Sequence, residues 1–201
     1  MTTTALATSK RALRHDVRAR LHALSPEELR RAGELAAVPL VAWLNDHAPP
    51  GPVALFAARP SEIDTRALDA GVRASGRVRL LPAIEGERLV FRALPPDVDA
   101  HALPLDPFGI PTPPPSAHQV PLVAAVLVVV PACAVDLLGR RLGWGKGYYD
   151  RALAPRCAEA RARGTVALVH DVQVVDEVPV GPGDALVERL CTATRGLRAL
   201  P

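Results

Sequence analysis

The segment Gly139–Arg151 reads GRRLGWGKGYYDR and concentrates functional side chains. Its thirteen residues include four glycines, four cationic side chains and three aromatic rings. Gly143, Gly145 and Gly147 alternate, so the backbone can adopt positive φ angles and approach a ligand closely. Backbone N–H groups and cations in such a loop favour phosphate oxygens. Asp150 adds a carboxylate that can hold a metal ion bridging phosphates.

The segment lies between a predicted buried strand and a predicted helix. Residues 124–130, AAVLVVV, are apolar on both faces, as in a central parallel strand, and an amphipathic run extends from about residue 148 to 163. A strand, a Gly-rich cationic loop and a helix together form a phosphate-binding arrangement. Two standard motifs do not fit. A P-loop requires Ser or Thr where Gly147 stands, and the dinucleotide fingerprint requires G-x-G-x-x-G rather than G-x-G-x-G.

The rest of the chain alternates predicted strands and helices. Apolar runs predict strands at 53–58, 77–82, 88–94 and 165–170, whereas helical spacing is found at 10–24 and 65–74. Ser25 to Glu28, SPEE, is a capping box that begins a further helix, and Pro39 is expected to kink or end it. The fold class is therefore α/β: a single three-layer domain over residues 9–201, with a mostly parallel central sheet flanked by helices. Residues 1–8 are expected to form a disordered tail.

Composition limits the classes of function. The chain has 201 residues, 49% of them hydrophobic, which is enough to bury a sizeable core. The net charge is +3 and aromatic residues make up 3%, so we expect no nucleic-acid partner. Apolar runs are too short for a transmembrane helix, and the first residues lack signal-peptide order, so no membrane association is expected. The three cysteines show no pairing or metal-ligand spacing, which indicates a reducing compartment. We expect a cytoplasmic monomer.

Lysine is rare in this chain. Of its 24 lysine and arginine residues only two are lysines, Lys10 and Lys146. An ammonium group is a compact point charge and does not replace a guanidinium at a tight phosphate site. The two lysines are therefore candidate phosphate contacts.

Residues 94–121 contain nine prolines and form a long irregular loop in the prediction. Such a loop inside a compact domain is either functional or mobile.

Several segments together resemble one enzyme family. PACAVDLLGRRLGWGKGYYDR at 131–151 resembles the signature of the 5-formyltetrahydrofolate cyclo-ligase family, also called methenyltetrahydrofolate synthetases. KRALR at 10–14 resembles the family's K-x-x-x-R, EIDT at 62–65 its pterin-binding segment, and VPVGPGDALVERLCT at 178–192 its closing segment. The resemblance extends from Lys10 to Thr192. The chain departs from the family pattern at Thr112, where Glu is usual, and at Ala132, Val135, Glu188 and Ala193.

The resemblance implies an ATP-dependent enzyme that converts 5-formyltetrahydrofolate to 5,10-methenyltetrahydrofolate and releases ADP and phosphate. Its partners are a reduced folate and ATP as co-substrate, with Mg²⁺ as cofactor. Lys10, Arg141 and Lys146 are the implied catalytic residues. The implied ATP-binding set is Lys10, Arg14, Arg141, Gly143, Gly145, Lys146, Gly147 and Tyr149. The implied folate-binding set is Phe56, Ala57, Glu62, Trp144 and Tyr148, and the implied metal ligands are Asp150 and Asp184.

Two alternatives stay open at this point. The first is a non-catalytic folate- or nucleotide-binding protein that has kept the pocket and lost turnover, to which the departures at Thr112, Val135 and Ala193 point. The second is an isomerase or transferase on a related sheet that uses phosphorylated sugars and no ATP. The two lysines and Asp150 speak against the second, since an isomerase needs a base more than a triphosphate clamp.

Overall fold

Nine short strands are distributed along the part of the chain that the structure, a computed structural model, describes: residues 3–156 and 164–201. They are β1 (Val53–Ala54), β2 (Arg79–Glu85), β3 (Arg88–Leu94), β4 (Leu127–Val130), β5 (Ala134–Val135), β6 (Arg141–Leu142), β7 (Thr165–Leu168), β8 (Arg189–Thr192) and β9 (Gly196–Ala199). Seven form one sheet in the order β3-β2-β1-β4-β7-β8-β9, whereas β5 and β6 pair separately as a hairpin.

The five inner strands of the large sheet run parallel. Strand β1 pairs with both β2 and β4, and its Val53 lies opposite Arg79 on one side and Leu127 on the other. Strands β4, β7 and β8 continue the parallel order, and only the edge strands β3 and β9 are antiparallel. The predicted, mostly parallel sheet is confirmed. Its inner strands are apolar on both faces, because helices cover both sides.

The described residues form four α-helices: α1 (Thr3–His22), α2 (Pro26–His47), α3 (Arg66–Ala74) and α4 (Tyr148–Leu153). Helices α2 and α3 bury apolar side chains such as Leu40 and Leu68 against one face of the sheet. Helix α4 buries Leu153 against the other face. These three layers agree with the predicted architecture. Helix α1 instead packs against the β5–β6 hairpin through Val17 and Leu21.

Helix α2 begins where the sequence predicts and continues through Pro39 to His47. Ser25 Oγ accepts a hydrogen bond from Glu28 N at 3.2 Å, and Glu28 Oε2 accepts one from Ser25 N at 2.7 Å, completing the capping box. The helix does not end at Pro39. Leu40 and Leu44 beyond the proline pack into the same core as Ala36 before it, and this burial offsets the lost backbone hydrogen bond.

The disordered tail predicted for residues 1–8 is corrected from Thr3 onward, because α1 begins there. Leu6 packs against Gly181, which ties the first turns to the body of the protein. The hydroxyls of Thr8 and Ser9 donate to the carbonyls of Thr4 and Ala5 one turn earlier. The amphipathic run predicted from about residue 148 to 163 begins as helix α4, which a short 3₁₀ turn extends to residue 156. The rest of that prediction, residues 157–163 with Cys157, lies outside the described residues.

The Pro-rich stretch 94–121 is held by two buried arginines. Arg79 donates to the carbonyls of Pro95 and Val98 at 2.7 and 2.8 Å. Arg92 donates to the carbonyls of Pro115 and Ala117 at 2.8 and 2.6 Å. Because proline has no backbone N–H, this stretch has more carbonyl acceptors than backbone donors. The two guanidiniums supply donors for four of those carbonyls.

No helix in the described residues combines the length and the apolar character that a membrane span requires.

The Arg79–Asp69 pair yields a stability prediction. Both Arg79 NH1–Asp69 oxygen distances are 2.9 Å, and both side chains are buried. Arg79→Met leaves a buried carboxylate and two carbonyls without partners, so we expect the free energy of unfolding to fall by about 3–5 kcal/mol in urea denaturation.

Arg30→Met is the matched control, because Arg30 forms ion pairs with Glu27 and Glu34 at the exposed surface. We expect it to cost less than about 1 kcal/mol. Equal losses in the two variants would show that the buried arginine does not hold the Pro-rich stretch.

Candidate active site

One cavity of about 250 Å³ opens at the carboxyl end of the central strands. Phe56 and Ala57 follow β1, Pro131 follows β4, and Pro82 and Ile84 lie in the second half of β2, and all of them line the cavity. Open parallel sheets bind their ligands at this edge. Strand β1 is shorter than the predicted 53–58 because the chain leaves the sheet here. The carbonyl of Phe56 accepts a hydrogen bond from the Thr65 hydroxyl at 2.9 Å instead of from a strand.

The Gly-rich loop reaches the cavity from the β5–β6 hairpin. The hairpin turn is organised by Asp136, which is fully buried. Its carboxylate accepts hydrogen bonds from Arg140 Nε at 2.6 Å, from the backbone N–H groups of Leu138 and Arg140 at 2.9 and 3.1 Å, and from Val178 N at 2.8 Å. Asp136 matches the family signature in sequence, but its structural role was not predicted.

The glycines act where the loop turns into α4. Gly147 has φ = 67° and precedes the first helical residue, and Gly145 has φ = 111°. Residues with a Cβ rarely adopt positive φ angles, so glycine at these two positions allows the abrupt turn. Gly143, Lys146 and Gly147 line the cavity, whereas Gly145 lies beside the guanidinium of Arg14.

The four predicted phosphate cations surround this loop. Arg14 Nε donates to the Gly143 carbonyl at 2.9 Å, and Lys146 lines the cavity with an exposed side chain. Lys10 forms an ion pair with Asp184, and buried Arg141 forms one with Asp150. Among the described residues, Arg14 and Lys146 have no carboxylate partner, whereas Lys10 and Arg141 are already neutralised within the protein.

The two predicted metal ligands are neighbours although 34 positions separate them in the sequence. Asp150 Oδ1 accepts a hydrogen bond from Ala185 N at 3.4 Å, and Ala185 directly follows Asp184. Mg²⁺ in nucleotide sites takes one or two carboxylates and completes its octahedron with phosphate oxygens and water. Asp150 pairs with Arg141 and Asp184 with Lys10, so each carboxylate lies beside a predicted phosphate cation, which fits this requirement. The described residues contain no group of three or more acidic, His or Cys side chains of the kind that holds a metal without a substrate.

All five predicted folate contacts line the same cavity: Phe56, Ala57, Glu62, Trp144 and Tyr148. Glu62 is almost fully buried and paired with Arg59, whose backbone N–H donates to Oε2 at 2.9 Å. The Arg59 guanidinium donates to Oε1 from Nε at 3.3 Å and from NH2 at 3.1 Å. Its Cζ also lies 5.0 Å from the centroid of the Trp144 ring, close enough for a cation–π contact.

Tyr149, predicted to bind ATP, also lines the cavity. Its hydroxyl is buried and has no hydrogen-bond partner within residues 3–156 and 164–201. Burial, and secondarily the charge of Glu62, raise the pKa of Tyr149 above its ordinary value, while Arg141 opposes the rise. The phenol therefore stays protonated at neutral pH.

Sequence reasoning missed several residues of the cavity. Arg18 lies one turn beyond the predicted pair Lys10 and Arg14, and its Cζ is 5.7 Å from the Trp144 centroid. Its four-residue spacing was a usable signal. Arg59, Asp106, Phe108 and Ile110 carried no such signal, because the tertiary structure brings them to the cavity, and Thr112, noted above only as a departure from the family pattern, lines it with them. Thr112, where the family usually has Glu, presents a hydroxyl that donates to the Ile110 carbonyl at 3.1 Å.

Comparison with known proteins places this geometry in a family. The model of the 5-formyltetrahydrofolate cyclo-ligase family matches residues 6–193. A 5-formyltetrahydrofolate cyclo-ligase of Mycolicibacterium smegmatis is 39% identical over 94 residues, which cover 46% of this chain and 47% of that protein. The Escherichia coli K12 enzyme of the same name is 28% identical over 187 residues, covering 89% of this chain and 97% of the relative.

The fold agrees with the same assignment. The solved structure of Aquifex aeolicus 5,10-methenyltetrahydrofolate synthetase superposes with a TM-score of 0.71 at 27% identity, covering 95% of this chain and 92% of the other. The family model spans both the cation-bearing α1 and the segment that holds Asp184, so it includes every part of the site described above. This chain belongs to the 5-formyltetrahydrofolate cyclo-ligase family.

Proposed function

We propose that the cavity and the Gly-rich loop together form the active site for the reaction of this family. The chain is an ATP-dependent 5-formyltetrahydrofolate cyclo-ligase that forms 5,10-methenyltetrahydrofolate, as its family and its relatives' names indicate. The observation that supports the site is the single cavity shared by both predicted halves. Phe56, Ala57 and Glu62 line it from the segment that follows β1, and Gly143, Trp144 and residues 146–150 line it from the loop and α4.

The chemistry requires positioning more than acid–base catalysis. The formyl oxygen of the folate forms a bond to the γ-phosphorus of ATP as the bond to the ADP oxygen breaks. The lone pair of N10 then bonds to the activated formyl carbon, and the carbon–oxygen bond breaks as phosphate leaves with that oxygen. The N10 proton passes to phosphate or water. The protein must align the formyl oxygen, the γ-phosphorus and the departing ADP oxygen, and it must neutralise the phosphate charge. A cavity that joins the proposed folate and phosphate sites meets both requirements.

Cations of the site divide between the cavity and its edge. Lys146 and Arg141 line the cavity, so we assign them to the phosphoryl group in transfer. Arg14 binds the loop backbone through Nε, which leaves its remaining N–H groups for phosphate oxygens. Lys10 would reach the nucleotide from its ion pair with Asp184.

Asp150 and Asp184 are the residues that would hold Mg²⁺. The ion neutralises phosphate charge when bound. Arg141 pairs with the carboxylate of Asp150, and Lys10 pairs with that of Asp184.

The direct test is turnover. Purified protein mixed with Mg-ATP and 5-formyltetrahydrofolate should produce the near-ultraviolet absorbance of the methenyl product, and omission of ATP should abolish it. Binding of both ligands without product would instead identify a non-catalytic binding protein.

Glu62→Gln tests the folate half of the site. The proposed pterin edge offers N–H donors, so the new amide NH₂ faces a donor where an acceptor stood. We expect folate binding to weaken by about 1–3 kcal/mol in equilibrium titration, with no accompanying loss of nucleotide affinity.

Glu177→Gln serves as the control, since Glu177 is exposed and pairs with Arg140 outside the cavity. It should leave both affinities at wild-type values. A Glu62→Gln variant that loses folate and nucleotide binding equally would mark Glu62 as a structural residue.

Asp150→Asn and Asp184→Asn test the metal half. Each removes one anionic oxygen ligand, so the Mg²⁺ concentration for half-maximal turnover should rise by roughly tenfold or more in either variant. Asp16→Asn on exposed α1 changes the net charge equally and should not alter the requirement. Wild-type Mg²⁺ dependence in both site variants would rule out the assignment.

A further inference from the structure

Arg59 connects the proposed folate half of the cavity with the Gly-rich loop. Neither the sequence motifs nor the proposed reaction gives this residue a role. Its backbone N–H and guanidinium make three hydrogen bonds to Glu62. The same guanidinium lies over Trp144, which stands between Gly143 and Gly145 in the loop. One side chain therefore contacts both the proposed pterin acceptor and the phosphate loop.

The contact between Arg59 and Glu62 competes in part with pterin binding, because the Glu62 carboxylate can accept only a limited number of hydrogen bonds. A carboxylate offers about four acceptor positions, two on each oxygen. Arg59 uses two on Glu62 Oε1 and one on Oε2. Two adjacent N–H donors of a pterin require one position on each oxygen. Folate binding at Glu62 therefore requires the guanidinium to release at least one of its bonds to Oε1.

The released guanidinium has a second support. The Trp144 ring contacts the guanidinium of Arg59. The Arg59 side chain is 31% exposed, so the guanidinium has room to turn. Arg18 Cζ lies 5.7 Å from the centroid of the same Trp144 ring, and Arg14 Nε donates to the carbonyl of Gly143, the residue before Trp144. The three guanidiniums thus converge on one place beside the loop.

The charge balance of this cluster depends on Glu62. Within the described residues, Arg14, Arg18 and Lys146 form no ion pair with a carboxylate, so Glu62 is the anion that Arg59 brings to the group. When folate engages Glu62, the positive charge of Arg59 becomes available to another anion. The phosphates of ATP are the anions that the loop is built to receive.

We propose that Arg59 couples the two substrates: folate binding at Glu62 frees its guanidinium, which stays on Trp144 and joins Arg14 and Lys146 as a phosphate contact. This inference rests on the proposed function, because it takes folate and ATP as the two ligands. Its consequence is that bound folate strengthens ATP binding and, by reciprocity, bound ATP strengthens folate binding.

The experiment measures the affinity of an ATP analogue with an imido β,γ bridge by calorimetry, with and without saturating 5-formyltetrahydrofolate. In the wild type we expect folate to tighten analogue binding by about tenfold, within the usual range of such couplings. In Arg59→Met the tightening should fall to less than about twofold, because the variant has no charge to release. Arg59→Lys, which keeps the charge but not the paired contact with Oε1, should show an intermediate value.

Arg18→Met is the matched control. Arg18 also lies over Trp144 but makes no hydrogen bond to Glu62. Its loss should weaken analogue binding both with and without folate and leave the tenfold ratio in place. Thermal unfolding of each variant verifies that the fold is kept.

The measured quantity is the ratio of analogue affinities with and without folate. The inference is wrong if this ratio is near one in the wild type, if Arg59→Met keeps the ratio of the wild type, or if Arg18→Met lowers it as much as Arg59→Met does. Turnover of the wild type is measured alongside. Product formation without coupling contradicts only the role of Arg59, whereas absence of product and of folate binding contradicts the proposed function as well.

Discussion

The buried carboxylate of Asp136 is the constraint on which the active site depends. It accepts hydrogen bonds from Arg140, from two backbone N–H groups of its own turn and from Val178 N across the molecule. Four donors compensate a fully buried negative charge that would otherwise be costly. They fix the β5–β6 hairpin relative to the segment near 178. The Gly-rich loop leaves from that hairpin, so its position at the cavity follows from this one group.

Electrostatic exchange is a second property of the site. Lys10 and Arg141 hold the two proposed metal ligands, and Arg59 holds the proposed pterin acceptor. These three cations are paired with carboxylates of the protein, whereas Arg14, Arg18 and Lys146 have no carboxylate partner among the described residues. In the proposed site, substrate groups would replace these internal partners, and the phosphates would also meet the unpaired cations Arg14 and Lys146. A site of this type discriminates by how well a ligand satisfies the groups that it displaces.

Much of the site could be predicted because its signals are local. Helical spacing placed Lys10 and Arg14 on one face of α1, alternating glycines indicated the loop, and the capping box marked the start of α2. The tail was predicted wrongly from Thr3 onward, and of the two outcomes predicted at Pro39, the end of the helix is not found; both results depend on distant partners. Leu6 packs on Gly181, and the residues on either side of Pro39 share one core. Propensity is a weak guide wherever tertiary packing supplies the stability.

By itself, the sequence determined the α/β class, the loop chemistry and the family, because apolar periodicity, glycine spacing and charge type are properties of short segments. Tertiary structure alone decided which segments share the cavity. The parallel pairing of β1 with β4 brings Glu62 and Arg59 beside Trp144, and the hydrogen bond from Ala185 to Asp150 brings Asp184 beside α4. These contacts join residues about 30 to 90 positions apart, and strand order, which no local pattern encodes, sets their geometry.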